Sequence, residues 1–143
     1  MAGNRMYTLL LVDDDSLILD VLRIQLSHFI PDNVTIERAS NGEEALQLMK
    51  ELAIEGLSPV EIIISDYFMP GLTGTEFLLR AHVINPHSKK ILLTGQADEE
   101  TVNKILEETN LFHFMTKPWN SKEMEGIVMD FVHELNKLEV PKA

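Results

Sequence analysis

Short apolar runs alternate five times with stretches of helical periodicity, and this pattern restricts the fold of the 143-residue chain more than any other feature. "YTLLLV" (7–12) is continuously apolar, as a strand buried on both faces must be. After "DDDS", the residues Leu17, Ile18, Val21, Leu22, Gln25, Leu26 and Phe29 recur at helical spacing until Pro31. "VTIERA" (34–39) alternates apolar and polar side chains, so it reads as a half-exposed strand. "SNGEEALQLMKEL" then carries a helix-start signal, with Ala45, Met49 and Leu52 on one face. "VEIIIS" (60–65), "KILLT" (90–94) and "LFHFMT" (111–116) are three further strands. "TGTEFLLRAHVIN" is a helix stopped before Pro86, and two more helices are expected over 98–109 and 121–139.

Five βα units of this length predict an α/β fold, a doubly wound parallel sheet with helices on both faces, because right-handed crossovers must cover both sides. Ligands of such sheets bind beyond the carboxyl ends of the strands, where strand order reverses. The first strand ends on Asp13, Asp14 and Asp15, the third on Asp66, the fourth on Thr94-Gly95 and the fifth on Lys117-Pro118. The second ends on Ala39-Ser40-Asn41 and offers nothing comparable. If four strand ends meet around one site, the second strand is pushed to the edge and the order becomes 2-1-3-4-5; its polar alternation agrees.

Charge narrows the function. Twelve Lys and Arg against 23 Asp and Glu give a formal net charge of −11, which repels a phosphate backbone and argues against direct nucleic-acid binding. The absence of cysteine excludes disulfides, thiolate zinc sites and cysteine nucleophiles. No secretory signal or membrane-length apolar stretch is visible, so a soluble cytoplasmic protein is expected. The expected organisation is a loose N-terminus over 1–5, one domain over 6–138 and a tail or truncated linker over 139–143.

Carboxylates crowded into a partly desolvated cleft repel one another, and something positive must sit among them. An all-oxygen site suits Mg²⁺ or Mn²⁺ better than zinc, and Lys117 adds a second positive charge. A cation with open positions, a lysine and a strand-end hydroxyl together match the fittings of a phosphoryl-transfer site. Asp66, single and held on a strand end, is the best candidate for the attacking carboxylate. Met69-Pro70 then fixes the loop behind it, while Gly71 and Gly74 supply backbone freedom.

With "LLLVDDDS", "ISDYFMPGLTG", "LLTGQAD" and "FMTKPW" in this order and spacing, the chain resembles the receiver domain of two-component response regulators from about residue 6 to residue 135. The resemblance implies a flavodoxin-like (βα)5 fold and a switch rather than a turnover enzyme. It implies that Asp13 and Asp14 hold Mg²⁺, that Asp66 is phosphorylated and that the Phe68 carbonyl completes the metal shell. It implies further that Thr94 and Lys117 grip the phosphoryl group, that Phe114 is the switching aromatic, and that Phe68 and Gln96 tune dephosphorylation. The implied partners are a sensor histidine kinase or phosphotransfer protein, and an output domain or partner protein on the face built by the fourth helix, fifth strand and fifth helix; a homodimer is also open to it.

Taken singly, each feature has a plainer explanation. "DDDS" could cap a helix, Asp66 could form a turn, Thr94 could close a strand, Lys117 could be a solvated charge and Phe114 could be core. Their conjunction at four converging strand ends is what argues for a site. Two competing functions remain at this stage: a haloacid-dehalogenase-like phosphatase using Asp13 of Asp13-x-Asp15, and a binding module that signals without phosphorylation. The chain either docks alone on a partner or is one part of a longer protein.

Overall fold

The computed structural model describes residues 5–56, 58–95, 100 and 113–138. Its elements run β1 (Tyr7–Val12), α1 (Ser16–Ser27), β2 (Val34–Ala39), α2 (Gly42–Glu55), β3 (Val60–Asp66), α3 (Gly74–Ile84), β4 (Lys89–Thr94), β5 (His113–Thr116) and α4 (Ser121–Leu138). The five strands pair in parallel in the order 2-1-3-4-5. The helix expected over 98–109, the start of the strand expected over 111–116, and Gln96 lie outside the described residues.

Period-two alternation divides the sheet between two cores. Tyr7, Leu9 and Leu11 of β1, Ile62 and Ile64 of β3, and Ile91 and Leu93 of β4 pack against Leu19, Leu22 and Leu26 of α1 and Met124, Val128, Val132 and Leu135 of α4. Leu10, Val12, Ile63 and Leu92 point the other way, onto Ala45, Leu46 and Met49 of α2 and Phe77, Leu78 and Ala81 of α3. Burial on both faces is why β1, β3 and β4 read as continuous apolar runs. Strand β2, at the edge, keeps Thr35, Glu37 and Arg38 exposed.

Helix starts follow the caps written in the sequence. The Asp15 carboxylate accepts from Leu17 N at 2.9 Å, and Asn41 Oδ1 accepts from Glu44 N at 2.8 Å. Thr73 and Glu76 close a reciprocal capping box at the start of α3. Helix α1 ends at Ser27, where the His28 N–H turns back to the Gln25 and Leu26 carbonyls, short of the Pro31 stop.

Lys90 was not expected inside. It is 2% exposed, and its ammonium donates to the Ser88 carbonyl at 2.8 Å and meets His82 Nδ1 of α3 at 3.3 Å. Burial, then the charge of Lys89, pulls this amine down from 10.5 to about 8, and burial followed by the Lys90 charge holds the His82 imidazole below its ordinary value. Because the folded value is depressed, the charged amine costs stability fully below pH 8, and that cost is relieved as pH climbs toward 10.5. Lys90→Met is therefore expected to stabilise the protein by about 1–2 kcal/mol at neutral pH. Urea titrations of the two proteins should show the gap narrowing from pH 8 upward.

Candidate functional site

The ladder places the chemistry. Beyond the last paired residues, the Asp13 N–H donates to Ala39 O at 3.2 Å, Tyr67 N–H to Leu93 O at 2.9 Å and Lys117 N–H to Thr94 O at 2.8 Å. Strand-type hydrogen bonding thus carries on just past the ends of β1, β3 and β5 and fixes the residues that begin those loops. Asp66 is itself the last residue of β3, in register with Leu93, and Thr94 pairs with Thr116. The carboxylate therefore belongs to the sheet rather than to the loop after it.

Asp13, Asp14 and Asp66 converge, each offering an oxygen within 4.8 Å of the others. Asp13 and Asp66 are buried and Asp14 is exposed. Lys117 reaches between the two buried acids, with Nζ 3.1 Å from Asp13 Oδ2 and 2.8 Å from Asp66 Oδ1. The other Asp13 oxygen, Oδ1, accepts the Asp15 N–H at 2.9 Å. Asp15, the third acid of the run, is the cap of α1 and takes no part in the cluster.

Burial raises the Asp66 carboxyl above its ordinary value; the Lys117 hydrogen bond opposes this and the Asp13 charge reinforces it. For Lys117, burial alone would lower the ammonium, but its hydrogen bonds and charge contacts with Asp66 and Asp13 outweigh that and leave it raised. With its three carboxylates ionised, the cluster would carry two negative charges more than the single Lys117 ammonium compensates. A hard divalent cation matches that donor set of carboxylate oxygens.

Thr94 is buried at the same rim, and Phe114 of β5 is half-buried against the α2/α3 core. Phe68 stands 72% exposed beside the cleft, edge-on to Tyr67. The two glycines of the following loop act differently from each other. Gly71 adopts φ +80, which a side chain disfavours. Gly74 is required by contact: a Cβ there would lie 2.1 Å from the Asp66 carbonyl oxygen, while its N–H donates to Tyr67 O at 2.7 Å.

Two fastenings around the cleft have helix partners that sequence reading did not identify, although Trp119 itself reads as a packed loop anchor. Trp119, just after the cis Lys117–Pro118 peptide, donates its ring N–H to Gln25 Oε1 of α1 at 2.8 Å, across a groove of about 460 Å³ lined by Ile18, Val21, Gln25, Lys117, Pro118 and Trp119. Glu43 of α2 accepts from Leu72 N at 3.2 Å. Gln25 falls on the apolar stripe of α1 and Glu43 among ordinary helical polar residues, and nothing in the local pattern marks either as a tie.

A family model described as the response regulator receiver domain matches residues 9–129. The chain is 30% identical over 117 residues to the hydrogenase transcriptional regulatory protein HoxA of Cupriavidus necator, which covers 82% of this chain and 22% of that protein. It is 28% identical over 128 residues to the sensor kinase CckA of Brucella abortus, covering 89% of this chain and 13% of the kinase. The chain thus spans a minor part of the length of these relatives. In structure it is similar to the signal receiver domain of an HD domain-containing protein from Pseudomonas fluorescens Pf-5, with TM-score 0.79, 27% identity, and coverage of 96% of this chain and 94% of that one.

A carboxyl whose folded value is raised costs stability once it ionises, so the cost grows as pH rises from 3.8 through the folded value and persists above it. In metal-free buffer, Asp66→Asn is expected to stabilise the fold at neutral pH by about 1 kcal/mol, the difference vanishing on acidification. Lys117→Met should act in the opposite sense, costing about 2 kcal/mol, because it strands two buried acids. Urea midpoints measured across pH for the three proteins check both signs.

Proposed function

The chain belongs to the response regulator receiver domain family, and from that premise we propose that it is a phosphorylation-controlled signalling switch whose acceptor is Asp66. The observation that carries this reading is the Lys117 ammonium held between the Asp13 and Asp66 carboxylates at 3.1 and 2.8 Å. A sensor histidine kinase, a phosphotransfer protein or a small phosphodonor supplies the phosphoryl group. An Asp66 oxygen attacks phosphorus, the new O–P bond forms as the donor's N–P or O–P bond breaks, and the leaving group departs with the electron pair.

The carboxylates of Asp13, Asp14 and Asp66, with the carbonyl of Phe68, would hold Mg²⁺ or Mn²⁺, which when bound neutralises charge on the phosphoryl oxygens. Lys117 binds and orients the same oxygens with its ammonium, and Thr94 offers its hydroxyl from the neighbouring strand end. The low exposure of Asp66 restricts water around the acyl phosphate, and Phe68 and Gln96 tune how fast water reaches it. The added charge is read out through Thr94 and Phe114 on the face to which β5 and α4 contribute, by an output domain, a partner protein or a second copy of the chain. Like other receiver domains, it catalyses only its own phosphorylation and dephosphorylation.

Acetyl phosphate with Mg²⁺ is expected to add one base-labile phosphoryl group, measured by intact mass, and Asp66→Asn should abolish the addition. Undiminished labelling of that variant would overturn the assignment. Saturating Mg²⁺ should also raise wild-type stability, by about 2.7 kcal/mol at one hundred times its dissociation constant. Asp13→Asn should lose most of that gain in a urea titration.

A further inference from the structure

Two adjacent glutamates open α2, and they point to different tasks. Glu44 turns back on its own cap, its carboxylate accepting from Ser40 N at 3.3 Å and Ser40 Oγ at 3.1 Å. Glu43 turns outward, across to the loop that follows Asp66, where Oε1 takes the Leu72 N–H at 3.2 Å. The loop leaves room for it: a Cβ on Gly71 would lie 2.8 Å from Glu43 Oε1 and 3.1 Å from Oε2. Beside it, a Cβ on Gly42 would meet Leu72 Cβ at 3.1 Å and Phe77 Cβ at 3.2 Å, so the start of α2 and the loop are in tight apposition.

The remaining hydrogen bonds of this loop lie at its two ends, while between them Met69 is buried in the α2/α3 core and Leu72 packs against it. Tyr67 N–H holds the beginning to Leu93 O, while Gly74 N–H and the Thr73–Glu76 capping box hold the end. Residues 68–72 include the Phe68 carbonyl, and among the described residues the Glu43 carboxylate is the side chain of another element that hydrogen-bonds the backbone of this stretch. We infer that Glu43 is a positioning residue: by fastening the Leu72 amide it adds a polar tie to the loop crest already packed through Met69, and so helps to hold the Phe68 carbonyl in the position it would need to serve a cation at the acid cluster. This rests on the reading above, in which Phe68 lends its carbonyl to the cation. Outer hydrogen bonds of this kind orient a ligand they never replace.

The test uses the full chain and MgCl2, with binding followed by backbone amide shifts and loop order by hydrogen exchange at Leu72. Glu43→Ala is expected to weaken Mg²⁺ affinity about three- to tenfold, the worth of one lost hydrogen bond, and to speed exchange at the Leu72 amide, while the urea midpoint stays near wild type. Glu43→Gln keeps an acceptor oxygen without the charge and should restore both properties to within about twofold of wild type. Wild-type affinity in Glu43→Ala, or a Glu43→Gln variant as weak as Glu43→Ala, overturns the inference. If the wild type itself binds no Mg²⁺, the functional reading falls; Leu72 exchange then decides the fastening alone, and unchanged exchange in Glu43→Ala overturns it.

Discussion

The Lys117 ammonium, lodged between two buried carboxylates, is the interaction on which the arrangement at the strand ends depends. Asp13 and Asp66 both sit at the rim of an apolar sheet, where removal from water costs free energy and mutual repulsion adds to it. One lysine partly offsets this and is itself held charged by the pair. The result is a cleft that remains negative after its own internal pairing. A hard divalent cation placed among these oxygens would balance the charge left over.

That balance needs atoms held to within a fraction of an ångström, and the sheet supplies the precision. Asp13 and Lys117 donate ladder-type hydrogen bonds from their own amides, and Asp66 and Thr94 are paired within strands, so their positions are inherited from the paired backbone. Loops close the design with few degrees of freedom. Gly74 lets α3 begin in contact with the Asp66 carbonyl, and the Thr73–Glu76 box ends the preceding loop without an unsatisfied amide.

Much of this was legible in the sequence because two of its signals are strictly local. Period-two and helical spacing mark the elements, and capping residues such as Asp15, Asn41 and Thr73 mark their starts. Strand order followed from chemistry rather than from pairing propensity, since only β2 lacked a functional end. The remainder depends on contacts distant in the chain. Lys90 reads as the polar beginning of a strand, and only the approach of His82 on α3 and the turn at Ser88 give its ammonium partners inside. Gly74 reads as a flexible turn residue, whereas its need is steric and comes from the Asp66 carbonyl. Gln25 reads as one more position on the inward stripe of the first helix and Glu43 as a solvent-facing one, until tertiary structure brings Trp119 and Leu72 to them.

The bond from Trp119 to Gln25 has a practical corollary. This is the sole tryptophan of the chain, half-buried, two residues past Lys117 and anchored to α1 by its indole N–H. Indole emission shifts with the polarity and hydrogen bonding of its surroundings, so the tryptophan fluorescence of the protein originates at the contact between α1 and the lysine-bearing loop. The molecule carries its own dye, and an event that breaks this contact will register as a shift in its emission.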